Sequence, residues 1–257
     1  MAVTFKTEKD IENLKQGGII LAKILRDLAR MVKPGLSAAA LDSRARELMK
    51  RYGVKPSFYR YRPLPYGRPF PGAICVSVNE VIVHGVPTAG LILREGDLVT
   101  IDGGIIYKGL FTDSALSVGV GKTSRVVKKL LSVTKGALNK AIKMCKPGKT
   151  LGDIGYAVSS FVDAEGFVVA EELVGHGVGY AVHEDPAVPN WGKPGEGLKL
   201  AKGMVLALEP MVCLGSGKIV ENEDGSFSTL DNSLSAHFEH TVVITDGKPI
   251  VVTQMNK

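Results

Sequence analysis

The stretch Asp97–Val120, DLVTIDGGIIYKGLFTDSALSVGV, is apolar or small almost throughout, yet it carries Asp102 and Asp113. Apolar and β-branched residues flank Lys108-Gly109, so the segment reads as a β-hairpin with its turn at that pair. If Tyr107 faces Leu110, Asp113 falls opposite Gly104 and Asp102 opposite Ala115. Side chains alternate faces along a strand, so the two aspartates then point to the same side as diagonal neighbours. A two-residue turn, or a four-residue turn closing Ile106 onto Phe111, keeps this register, whereas a three-residue loop breaks it. Two carboxylates converging in an apolar sheet lose hydration and repel each other. They need a shared proton, a basic partner or cations. The competing reading puts Asp113 at an exposed strand end, and the rest of the chain has to decide.

The 257 residues suffice for one large domain or two small ones with a substantial core. A hydrophobic fraction of 45% and a charged fraction of 23% are those of a globular chain rather than a disordered one. No apolar run has membrane-spanning length, and MAVTFKTEKD lacks the apolar centre of a signal peptide. Cys75, Cys145 and Cys213 are widely spaced with no CxxC pair, which argues against a disulfide scaffold or a cysteine zinc site and fits a reducing cytoplasm. The formal charge of +6 permits an acidic partner such as RNA but by itself indicates only a basic surface.

Thr7 and Asp10 form a capping-box pattern opening a helix. Its inward face is Ile11, Leu14, Leu21, Ile24, Leu25, Leu28 and Val32, and Lys33-Pro34-Gly35 stops it. Ser37 caps a second helix that runs towards Gly53. Residues 55–71, rich in Pro, Arg, Tyr and Phe, read as an aromatic loop, and Ala73–His84 has strand composition on both sides of Asn79-Glu80. Ser124 caps a further helix with Val127, Leu130, Leu131, Leu138, Ala141, Ile142 and Cys145 on one side and a row of lysines on the other. No aromatic residues interleave with those lysines to stack on bases, so they read as a solvated face.

An internal repeat then emerges. Lys33-Pro34-Gly35, a helix and Gly53 recur as Lys146-Pro147-Gly148, a helix and Gly166. The strand segment Glu95–Asp102 matches Lys202–Glu209, each a charged residue, a Gly and a strand ending in a carboxylate. Asp113 and Glu239 follow on the next strands. This predicts two related α+β halves about a pseudo-twofold axis, roughly residues 7–121 and 122–250, with carboxylates meeting where they join. A surface aspartate has no reason to recur as a glutamate in the sister half.

The second half adds VGHGVGYAVHEDP, residues 174–186, in which glycines around His176 let the backbone approach a ligand and oppose a helix. It matches a dinucleotide fingerprint poorly, since no helix pattern follows. Asp102, Asp113, His176, Glu209 and Glu239 together suit hard or borderline divalent ions such as Mn, Fe, Co or Zn. Four carboxylates exceed the needs of one ion, but two ions about 3.5–4 Å apart with bridging carboxylates would neutralise them.

At this point the chain resembles the type I methionine aminopeptidases of the pita-bread fold. The resemblance rests on NEVIVHG (79–85), GDLVTIDGG with FTDSA (96–115), GHGVGYAVHEDP (175–186), MVLALEPMV (204–212) and SLSAHFEHTVVIT (233–245), and covers nearly the whole length. It implies a single catalytic domain over 1–257, a curved, mainly antiparallel sheet covered by helices, and removal of the N-terminal methionine of nascent chains when a small residue follows. It implies that Asp102 chelates one metal, that Asp113 and Glu239 bridge both, and that His176 and Glu209 complete the other. A metal-activated water would attack the scissile carbonyl with Glu209 as base, His183 would donate to the oxygen that becomes negative, and His84 would contact the scissile amide nitrogen. Cys75 would line the methionine pocket, with Phe70, Tyr66 and Phe227 as further walls. Val182 stands where the family often has an aromatic residue, and 58–70 is longer and more basic than its usual pattern, so the pocket's shape is expected to differ. His237 and His240 are expected to be structural or to stand behind the ligands.

Prolidases and Xaa-Pro aminopeptidases share the ligands but usually carry a large extra N-terminal domain, and only about 70 residues precede the first core strand here. A metal-free binding relative would have lost ligands that this chain retains. The resemblance further implies a cytoplasmic, monomeric protein working at the ribosome. The basic helix 124–146 fits such a contact; the loop Gly215–Asp231, mostly acidic and polar, does not. Ala2 after Met1 is a small residue of the kind the family accepts in second place, so the chain is expected to process itself.

Overall fold

The computed structural model describes residues 2–62 and 68–255. Helices α1 (Glu8–Met31) and α2 (Ala38–Arg51) precede strands β1 (Lys55–Pro56), β2 (Ile74–Val78), β3 (Val81–Val83), β4 (Leu98–Tyr107) and β5 (Leu110–Gly119). Helices α3 (Arg125–Met144) and α4 (Leu151–Ala164) follow, then β6 (Val168–Val169), β7 (Val174–Gly177), β8 (Glu184–Pro189), β9 (Val205–Leu208) and β10 (Met211–Cys213). The chain closes with β11 (Ile219–Glu221), β12 (Phe227–Thr229), β13 (Ser235–His237), β14 (His240–Val243) and β15 (Ile250–Val251).

The hairpin has the two-residue turn. Lys108 and Gly109 both take positive φ, 49° and 81°, the mirror-image turn whose twist matches that of its strands. Tyr107 pairs with Leu110, Gly104 with Asp113 and Asp102 with Ala115, so both aspartates share one face. Strands β1 and β2 lie along the other edge of β4, and Cys75 stands directly across from Asp102. In the second half β15-β14-β9-β7-β8 form a five-stranded sheet, and every pairing in both sheets is antiparallel. Strand β3 leaves β2 behind and pairs with β12, so the strand segments on either side of Asn79-Glu80 serve different sheets. The segment read as the loop 215–231 contains the antiparallel pair β11 and β12; the polar turn between them, with Gly225 at φ 84°, hides a pattern only three residues long on each side.

The repeat is legible in backbone geometry. Helices α2 and α4 are each 14 residues long and begin at hydroxyl caps, Ser37 and Thr150. Gly35 and Gly148 precede them at φ 84°, and Gly53 and Gly166 follow at φ 69° and 80°. The amide of Gly35 donates to Leu93 O and that of Gly148 to Leu200 O, so each helix pair is tied in the same way to the segment that leads into β4 or β9. Leu21, Ile24, Leu25 and Leu28 of α1 pack with α2 residues against β2 and β4, while α3 and α4 cover the second sheet with Leu130, Leu138, Ile154 and Val158. Ile11 and Val32, expected on the inward face, are only half-buried.

Where the halves meet, hydroxyls replace a regular ladder. Ser114 Oγ donates to Glu239 O (2.7 Å), Thr241 Oγ1 to Asp113 O (2.7 Å) and Ser117 Oγ to His237 O (2.8 Å). The amide of Glu239 reaches Ala115 O at 2.9 Å. These bonds hold Asp113 and Glu239 side by side from opposite halves.

Candidate metal centre and active site

Asp102 and Asp113 project from β4 and β5, His176 from β7, Glu209 from the end of β9 and Glu239 from the residue before β14. All five line one cavity of about 370 Å³, together with His84, His183, Cys75 and Phe70. The ligand atoms of Asp113, His176 and Glu239 lie within 4.8 Å of one another. His176 Nε2 stands 3.3 Å from Glu209 Oε1, and its Nδ1 lies 2.9 Å from Gly177 O. A proton on Nδ1 serves that carbonyl and leaves the Nε2 lone pair facing the acids.

The electrostatics are those of a cage built for positive charge. Burial pushes the Asp102 carboxyl well above its ordinary range, with the Asp113 charge adding to it. Burial raises Asp113 to about 7. Burial and then the neighbouring acids raise Glu209 and Glu239 in the same direction. Asp102 Oδ1, Glu209 Oε1 and Glu239 Oε1 are buried without a hydrogen-bond partner. Buried carboxylate oxygens left this way are costly unless a cation completes them. The donor set, four carboxylates and one imidazole, therefore fits divalent ions of the hard or borderline class.

The remaining expected residues fall around this cage. His183, in the loop before β8, has its Nδ1 2.8 Å from the Tyr61 hydroxyl, and its ring stands edge-on to His176 at 4.4 Å. Burial pulls the imidazoles of His183 and His237 down to about 3 and that of His176 to about 4, so all three are neutral near pH 7. His84 holds φ at 61°, a strained conformation for a non-glycine residue. Phe227 is not among the residues lining the cavity; β12 sets it edge-on to His84, 5.9 Å between ring centres. Phe58, Cys75 and Val182 form a buried apolar cluster with Tyr61, Phe70 and Phe111 packed on it. Tyr66 lies outside the described residues.

Sequence reasoning missed Tyr61 and Phe58, which it held only as members of an aromatic loop. The signal for Tyr61 lay in partnership with His183, 122 residues away, and no local pattern carries that. No regular strand joins His237 to Glu239, since β13 ends at His237 and β14 begins at His240; His237 is nonetheless buried beside the cage, with Nε2 3.7 Å from Glu209 Oε2. His240 turns away from the cavity and meets Thr253 Oγ1 at 3.0 Å.

The model of metallopeptidase family M24 matches residues 12–246. The chain belongs to that family. Among M24 relatives it is 41% identical to the methionine aminopeptidase of Aquifex aeolicus, over 99% of this chain and all of the other. It is 42% identical to methionine aminopeptidase 1 of Bacillus subtilis, over 94% and 95%. The crystal structure of methionine aminopeptidase from Thermotoga maritima superposes with a TM-score of 0.93 at 42% identity, covering 99% of this chain and 100% of that one. The prolidase of Pyrococcus furiosus, at 21% identity and TM-score 0.78, shares the fold, and this chain spans 66% of its length. The M24 chain thus has the pita-bread architecture of two related halves. Among the described residues no helix is long and apolar enough to cross a membrane.

Proposed function

We propose that this M24 metallopeptidase removes the N-terminal methionine from polypeptides, with preference for a small second residue. The observation that carries the reading is the buried cage of four acids and His176 beside an apolar pocket walled by Phe58, Cys75 and Phe70, with Val182 packed in the same buried cluster. A flexible thioether packs well against such a wall of thiol and aromatic groups. Full-length identity of about 40% to methionine aminopeptidases supports the same substrate.

Asp102, Asp113, His176, Glu209 and Glu239 are suited to hold two divalent ions, of which Mn, Fe, Co and Zn are the candidates. Such ions supply Lewis acidity at the carbonyl and a water acidic enough to lose its proton near neutral pH. Glu209, whose Oε1 stands 3.3 Å from His176 Nε2 at the edge of the cage, would receive that proton. With the Tyr61 hydroxyl as the donor to Nδ1, the His183 proton would rest on Nε2, where it can be given to the oxygen that gains charge. His84, fixed by its backbone conformation, faces the departing amide. A second depression shares His84, His176, His183 and Glu209 and continues past Val174 and Ala187, a path for the rest of the substrate chain.

The unpaired Cys75, Cys145 and Cys213 support a reducing, cytoplasmic setting in which nascent chains are the substrates. The lysine face of α3 is the surface best suited to a ribosomal contact, the chain acts as a monomer, and halves 7–121 and 122–250 form one catalytic domain. Titrating metal-stripped protein with Mn, Fe, Co and Zn while following methionine release from Met-Ala-Ser tests the central reading. Release that requires one of these ions is expected; no metal uptake and no release would overturn it.

A further inference from the structure

His183 sits in the loop 178–183 between β7 and β8, and what fixes that loop comes from the start of the chain. Glu184, the next residue, has a side chain 3% exposed, and its two oxygens face different ways. Oε1 accepts from the amides of Tyr180 and Ala181, which shapes the loop. Oε2 accepts from Lys6 Nζ at 2.6 Å and from the Thr4 hydroxyl, while Lys6 also bonds to Thr4. The Lys6 side chain is 1% exposed and its backbone amide donates to Gly203 O at 2.8 Å, pinning the arm to the turn before β9. Its Cε occupies the space a Cβ on Gly179 would need, 2.2 Å away, with Gly179 at φ 141°. Tyr180 closes the arrangement by donating to Asp10 Oδ2, 2.8 Å away at the opening of α1.

A buried lysine-carboxylate pair is a poor choice for stability alone, because desolvating both charges offsets most of their attraction. What such a pair does supply is one fixed geometry. Glu184 opens β8 with its carboxylate on the arm while His183, the residue before it, lines the cavity, so the position of one constrains that of the other.

We propose that the N-terminal arm, through Lys6 and Thr4, is a clasp that positions His183 for the reaction. The inference rests on the function proposed above. Lys6 and Thr4 touch no substrate; they are positioning residues, and the arm is part of the active-site scaffold although it lies outside the cavity. A misplacement of about 1 Å at a group acting on the transition state costs up to roughly a hundredfold in rate. The Lys6→Met variant, which keeps volume and removes charge, is therefore expected to lose about tenfold to a hundredfold in kcat on Met-Ala-Ser, with KM within about twofold.

The experiment compares kcat, KM and bound metal for the wild type, Lys6→Met and the milder Thr4→Val, well below their unfolding temperatures, and follows the His183 ring resonances by NMR. The expected result is a fall in kcat in both variants, smaller for Thr4→Val, with unchanged metal content and shifted His183 signals. Unchanged kcat with a lowered Tm, or a change confined to KM, would overturn the clasp. Should Lys6→Met not fold, Thr4→Val decides by the same criteria. Wild-type release of methionine is the control: its absence refutes the proposed function, whereas its presence alongside unaffected variants refutes only the clasp.

Discussion

Replacing Asp113 by Asn should stabilise the metal-free protein, increasingly so as pH rises. Burial raises the Asp113 carboxyl from 3.8 to about 7. A group whose pKa is raised by folding favours the folded state below its unfolded value and loses that advantage as pH climbs through the folded value. At about 1.4 kcal/mol per pH unit, the folded wild type gives up on the order of 4 kcal/mol between pH 4 and 8 through this residue. Asn keeps the acceptor for the Ser114 amide, which bonds Asp113 Oδ1 at 3.0 Å, and has no charge to bury. The buried histidines act in the opposite direction. His176 and His240 are pulled down by burial to about 4, so each adds stability as pH rises through the range between that value and its ordinary one. They are common to both proteins and cancel in the comparison. The assay is thermal unfolding of EDTA-stripped wild type and Asp113→Asn from pH 5 to pH 8. About 3 kcal/mol of the difference falls in that window, and at about 2 °C per kcal/mol for a chain of this size the Tm gap should widen by roughly 6 °C in favour of Asn. Divalent metal at about a thousand times its Kd returns about 4 kcal/mol to a protein that binds it, so the gap should close or reverse for the wild type. A gap independent of pH, or a metal-free wild type more stable than the variant at pH 8, would refute the reasoning.

Glu239→Ala should bind less than the full metal complement and lose methionine release, as measured by elemental analysis beside the peptide assay; full activity would contradict a bridging role. His183→Ala should lower kcat by roughly 10²–10³ while leaving bound metal unchanged, as expected for a donor acting at the transition state. Tyr61→Phe removes one hydrogen bond to His183 and should lower kcat by about tenfold, the equivalent of about 1.4 kcal/mol, with a smaller effect on KM. Gly177→Ala would place its Cβ 2.2 Å from Asp185 O, a backbone clash that should cost about 1–3 kcal/mol in unfolding experiments and weaken metal uptake through the adjoining His176.

How much of this was legible from the chain depended on the range of each interaction. The β4-β5 register follows from a short turn and strict alternation, and the pairs Gly104 with Asp113 and Asp102 with Ala115 were readable before any coordinates. The caps at Thr7, Ser37 and Ser124 were readable for the same local reason, each accepting from an amide three residues on. The repeat was visible because its glycines meet a backbone demand, φ near 84° at both Gly35 and Gly148, that other residues meet poorly. Strands β11 and β12 escaped because each is three residues long and their turn is polar, so composition there matches that of a loop. Tyr61 and the Lys6–Glu184 pair escaped because contacts across more than a hundred residues leave no periodicity behind.

The two halves contribute unlike acids: aspartates on β4 and β5, glutamates after β9 and before β14. The helix pairs and their flanking glycines repeat, but the carboxyl stems differ by one methylene from side to side, and His176 adds an imidazole on one side. A cage of perfect twofold symmetry would offer a peptide bond two equivalent orientations. A peptide has direction, with an amine at one end and a carbonyl further along, and productive binding must tell them apart. One carbon of difference between the halves, with His176 on one side alone, leaves the cavity without that twofold equivalence.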